Sequence, residues 1–185
     1  MRWQIGWQWL VFAIGVFMGG LFLGSLLQTS EPVHSSAAER LQPAAMVSTA
    51  LTPGATVYVP VYSSLYLGLN IKQRMVQLAA TVSVRNVSAA HPIVIEWVRY
   101  YDSAGKLIRD YVDKPSALPP LGSVEFVIQR SDAAGGPGAN FLIRWKGPAN
   151  VDEPLIEAVM LGESGNAGIS FTSRGRVAKS EPGVQ

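Results

Sequence analysis

The residues best equipped for chemistry lie close together in the stretch 131–140, SDAAGGPGAN. Gly135, Gly136 and Gly138 have no side chain to obstruct a backbone turn, and consecutive N–H groups in such a turn can converge on an anion. Asp132, Asn140 and, a little further on, Arg144 supply one negative, one neutral and one positive group. The pattern fits an anion-binding nest. It lacks the Gly-Lys-Ser/Thr ending of a nucleotide phosphate loop. The competing reading is a hairpin connection whose glycines only satisfy turn geometry.

Other chemistry is sparse. The two histidines, His34 and His91, stand far apart, and the chain has no cysteine. No zinc or other transition-metal spacing results, and no cofactor motif is present. Asn86-Val87-Ser88 matches a glycosylation acceptor and reads as a turn. Tyr58, Tyr62, Tyr66, Tyr100 and Tyr101 suggest an aromatic contact surface or an ordinary sheet face. Without a nucleophile–base pair or a metal set, the expectation is a protein without catalytic activity. It would act by binding.

The segment that sets its place of work is 7–27, WQWLVFAIGVFMGGLFLGSLL, opening at Trp7 and closing at Leu27. It is uncharged, and a helix of ~21 residues reaches about 31 Å, the thickness of a bilayer core. Its length exceeds the apolar core of a cleaved signal peptide, so the expectation is a retained anchor in the lipid bilayer. Arg2 precedes it and the next base is Arg40. That asymmetry places the N-terminus in the cytoplasm and the rest of the chain in the periplasm, with Trp3, Trp7 and Trp9 at the headgroups. Gly15 and Gly19, and Gly20 and Gly24, are spaced for close helix approach and suggest a homodimer.

Charge excludes one class of partner. The chain of 185 residues carries 15 Lys and Arg against 13 Asp and Glu, and setting Arg2 aside leaves 14 bases. No basic patch stands out, so nucleic acid is not expected as a partner. An unidentified periplasmic protein fits better.

The organisation follows from composition and period. Residues 1–28 form the cytoplasmic end and anchor, 29–54 a flexible linker rich in Ser, Ala and Pro, 55–177 the folded domain, and 178–185 a frayed tail. Within the domain, short β-like runs at 56–62, 75–85, 93–101, 106–112, 123–130, 140–146 and 169–173 predict strands, and 93–101 is apolar on both faces, as a central strand is. In 75–85, Val76, Leu78, Ala80, Val82 and Val84 share one face; in 140–146, Phe141, Ile143 and Trp145 do. Trp97 is expected in the core of a central strand. Residues 155–161 read as a strand, with a short helix after Asp152-Glu153-Pro154 as the other possibility. The result is mainly β: an antiparallel β-sandwich of immunoglobulin-like architecture, without the cysteine pair of true immunoglobulin domains, preceded by one transmembrane helix.

The strings VYVPVYSSLY (57–66), SDAAGGPGANFLIRW (131–145), EAVMLG (157–162) and GISFTSRGRV (168–177) resemble segments of an uncharacterised bacterial family of exported, often membrane-anchored proteins, a domain of unknown function. The resemblance implies a domain spanning 55–177 and a bacterial setting. It carries no activity or catalytic residue. A small-ligand-binding or enzymatic domain using 131–140 is the alternative to a binding module.

Overall fold

A computed structural model describes residues 40–46, 50–67 and 74–178, all within the compact unit Val33–Gln185. The expected anchor at 7–27, its four glycines, His34 and the tail beyond 178 lie outside the described residues. Among the described residues, no helix is long and apolar enough to cross a membrane.

The described residues form twelve strands in chain order: β1 (Gln42–Pro43), β2 (Thr52–Pro60), β3 (Ser64–Leu67), β4 (Arg74–Arg85), β5 (Ile93–Tyr101), β6 (Leu107–Val112), β7 (Ser116–Leu118), β8 (Ser123–Ile128), β9 (Asn140–Gly147), β10 (Leu155–Ser164), β11 (Ala167–Arg174) and β12 (Arg176–Val177). All pairings are antiparallel. One sheet runs β1-β7-β5-β9-β2-β12 with β6 on β5; the other runs β11-β10-β4-β3 with β8 on β4. The chain crosses between sheets at Gly175. Its N–H still bonds to Ile156 of β10, while Arg176 already pairs with Tyr58 of β2.

One core is built from the inner faces of both sheets. Alternation works as expected on β4, where Leu78, Ala80, Val82 and Val84 are fully buried, on β8 with Val124, Phe126 and Ile128, and on β9 with Phe141, Ile143 and Trp145. Tyr111 of β6 ties the layers together. Its ring meets Phe126 edge-on at 5.6 Å and Phe141 at 5.4 Å, and its hydroxyl donates to the Val127 carbonyl. Residues 155–161 form a strand rather than a helix, because β10 lies between β4 and β11 and pairs with both.

Trp97 departs from expectation. Ile93 and Ile95 point into the core, but the register with β9 slips between Ile95 and Trp97. This β-bulge adds one residue and inverts the alternation beyond it. Val98 and Tyr100 therefore become the buried residues, and Trp97 turns to the outer face. Among the described residues, the buried tryptophan is Trp145, 6% exposed.

The folded unit also starts earlier than its composition suggests. Gln42 and Pro43, within the expected linker, pair with Ala117 and Ser116, Leu41 packs on the core, and Arg40 forms an ion pair with Glu125. A two-residue, proline-containing edge strand has no period to read. The proline-rich connection after β6 likewise contains β7, with Ala117 and Leu118 buried.

Candidate binding surface

The glycine-rich loop 131–139 is a packed connection. Gly135 is buried, and its carbonyl accepts from both the N–H and the Oγ of Ser103 (3.0 Å each). The Gly136 carbonyl accepts from the N–H and Oγ of Ser63, and the Gly138 N–H donates to Ser103 Oγ at 2.8 Å. The loop thus spends its backbone groups on two serines of neighbouring turns. Gly136 has φ +74°, a conformation suited to glycine, and a Cβ at Gly135 would sit 1.9 Å from Tyr100 Oη. Both glycines answer to close packing.

The charged residues named with this loop are not brought together. Asp132 accepts from the Ala134 N–H in its own turn and pairs with Arg109 at 3.2 Å. Asn140 opens β9 opposite Tyr101 and Pro60. Arg144 lies four residues further along that strand, on the outer face, paired with Glu96 at 3.3 Å and bonded to Thr56 Oγ1. The residue that meets Asp132 was missed. Arg109 sits in the expected strand at 106–112, but nothing local links it to position 132.

Tyr100 lies beneath this loop, fully buried and stacked on Phe141 at 5.1 Å. Its hydroxyl has no hydrogen-bond partner among the described residues. Burial, reinforced by the Asp132 carboxylate, pushes the phenol up to about 12, against the opposing pull of Ser63, whose side chain lies close to the phenol but outside normal hydrogen-bond geometry, and of Arg109. Burial also raises Tyr111, with the Arg109 guanidinium opposing it.

Asn86 is no acceptor for a sugar. It is 2% exposed, its Nδ2 lies within hydrogen-bonding range of the carbonyls of His91, Leu118 and Pro119, and its Oδ1 accepts from the Ser88 N–H. The tyrosine set divides in the same way. Tyr100 is core and Tyr62 packs edge-on against Phe171, whereas Tyr58 and Tyr66 are 40% and 54% exposed.

The groups that do converge lie on the outer face of the first sheet. Register sets them in rows across β2, β9 and β5: Thr56, Arg144 and Trp97; then Tyr58, Leu142 and Arg99. The Arg99 guanidinium stands 4.7 Å over the Trp97 ring and pairs with Asp110 at 3.1 Å. Glu96, displaced by the bulge, takes both Arg144 and Lys146, the latter at 2.6 Å. Exposed tyrosine, outward tryptophan and arginine are the residue types that carry most binding energy at protein interfaces. Chemically, the face carries Trp97 and Tyr58 on the two strands flanking β9, among paired charges. It holds no nucleophile–base pair, and among the described residues no group of three or more His, Asp or Glu is placed to hold a metal.

These features define a mainly β domain of two antiparallel sheets. The chain belongs to the family described as "Protein of unknown function (DUF3124)", whose model matches residues 54–178. No curated protein matches it. Among solved structures, it is similar to the "Crystal Structure of Thermotoga maritima 1070", with 9% sequence identity, a TM-score of 0.39 and coverage of 70% of this chain and 99% of that one.

Proposed function

We propose that this protein is a non-enzymatic binding module tethered to the bacterial inner membrane. Its antiparallel β-sandwich, immunoglobulin-like in architecture, would stand in the periplasm and receive a protein partner on the outer face of the first sheet. The observation that carries the reading is Trp97, turned outward by the bulge and covered by Arg99 next to the row containing exposed Tyr58. The tether rests on the uncharged run 7–27, the orientation on Arg2, and Gly15, Gly19, Gly20 and Gly24 offer a face on which two anchors could meet. The ligand-binding or enzymatic alternative through 131–140 has less support, since Asp132 is engaged by Arg109 and the Gly138 N–H, which an anion nest would use, donates to Ser103 Oγ.

The test is co-purification of partners with the intact chain from membranes, comparing wild type with Trp97→Ala and Tyr58→Ala. Loss of the same partner from both variants, with melting little changed, is expected. Retention of every partner by Trp97→Ala overturns the reading. A periplasm-active reporter fused after Gln185 should be active and a cytoplasm-active one silent; the reverse pattern removes the proposed location.

A further inference from the structure

We propose that β11 is a docking edge for β11 of a second copy, joined antiparallel about a two-fold axis at Ser170. The exposed edges of a sheet are usually blunted by shortness, charge, proline, bulges or a covering side chain, because unpaired N–H and C=O groups recruit other strands. The other edges here follow that rule. β1, β3 and β12 have two, four and two residues; β6 carries Arg109 and Asp110 and is bulged against β5; on β8 the Val127 carbonyl is taken by Tyr111. β11 does not follow it. It is eight residues long, its outer side has no partner strand among the described residues, and from Gly165 to Ser173 there is no charge and no proline.

The geometry also specifies the pairing. Gly175 N–H bonds to Ile156, in register with the β10–β11 ladder, so Ser173, Phe171, Ile169 and Ala167 direct their backbone groups to β10. Gly168, Ser170 and Thr172 direct theirs outward. Past Arg174 the strand crosses to the other sheet, where Ser173 Oγ bonds to the Pro60 carbonyl, so the open length ends near Thr172. An antiparallel copy must oppose residues of the same face, and the register using all three outward residues sets Ser170 opposite Ser170 and Gly168 opposite Thr172. Ile169 then meets Phe171 of the second copy twice, continuing the apolar inner face. Two uncharged, self-complementary edges meet without repulsion, as an isologous contact requires. This proposal is independent of the Trp97 face.

The absence of cysteine makes the test direct. Full-length chains carrying Ser170→Cys, Thr172→Cys or, at an exposed turn remote in sequence from β11, Asn150→Cys are treated with a short bifunctional maleimide in membranes. Facing Cα atoms would lie ~5.5 Å apart only at position 170, so Ser170→Cys should cross-link to itself about tenfold more than the other two. Adding Thr172→Pro removes an outward N–H without touching the β10 ladder, and should abolish that cross-link while leaving melting nearly unchanged. Equal cross-linking at all three positions, none at Ser170→Cys, or capture there of a different protein instead of a second copy overturns the proposal. Survival of the Ser170→Cys cross-link in the Thr172→Pro chain does so too.

Discussion

Arg109 and Asp132, 23 residues apart, meet at 3.2 Å where β6 passes under the loop between β8 and β9. The carboxylate is largely covered and the guanidinium is 41% exposed, so solvent screens much of the attraction. Asp132 also bonds to the Ala134 N–H. Asp132→Ala should therefore cost ~0.5–1.5 kcal/mol, mostly from the lost turn bond, and Arg109→Ala less. Chemical denaturation of the two variants compares them; equal and negligible losses would mean that the loop holds its shape without this pair.

Tyr100 predicts an alkaline weakness. Its folded pKa of about 12 lies above the ordinary 10, so unfolding releases its proton between those values. Its contribution is complete below pH 10 and is lost as the pH rises towards 12. Tyr111 shifts in the same direction. Tyr100→Phe should flatten the fall in melting temperature over that window. At neutral pH it should be neutral or stabilising, since the buried hydroxyl it deletes has only the Ser63 contact, which falls outside normal hydrogen-bond geometry. A destabilised Tyr100→Phe at pH 7 would reveal a bond to that hydroxyl.

Gly135→Ala probes packing rather than ligand binding. The added methyl would lie 1.9 Å from Tyr100 Oη and 2.7 Å from Ala139 Cβ, and overpacking of this kind costs ~1–3 kcal/mol. Combining it with Tyr100→Phe should recover part of the loss, because the nearest obstructing atom is gone. A purely additive double mutant would show that the backbone, not the phenol, absorbs the strain.

The two tryptophans of β5 and β9 should behave oppositely. Trp145→Ala empties a buried site and should cost ~3–5 kcal/mol, enough to threaten a domain of ordinary stability. Trp97→Ala removes a ring from the outer face and should cost about 1 kcal/mol or less. Thermal melting ranks them; the reverse order would place the bulge elsewhere.

Asn86→Ala should be among the most damaging polar substitutions. It leaves the buried Leu118 carbonyl and the part-buried His91 and Pro119 carbonyls without their shared donor, at ~1–3 kcal/mol. Melting of Asn86→Ala beside Ser88→Ala would separate the side-chain amide from the turn it closes.

Strand content was readable in the sequence wherever a strand is half-buried over a long span. Val76 to Val84, Val124 to Ile128 and Phe141 to Trp145 alternate because side chains on a pleated strand do, and a shared core enforces that period. The 155–161 run was legible as strand by its length. What the chain alone did not contain was anything set by distant pairing. The extra residue near Glu96 is visible only against β9, yet it decides that Trp97 faces out and Tyr100 faces in. The short strands β1, β3, β7 and β12 exist because a neighbour supplies their hydrogen bonds, not because their composition favours extension. The glycine loop was found by composition, but its role was not: Ser63, Ser103, Tyr100 and Arg109 come to it from three other parts of the chain. Local pattern determined which residues are apolar and how often they recur. Only the tertiary structure decided which polar groups meet, since those contacts depend on how the two sheets fold over one another.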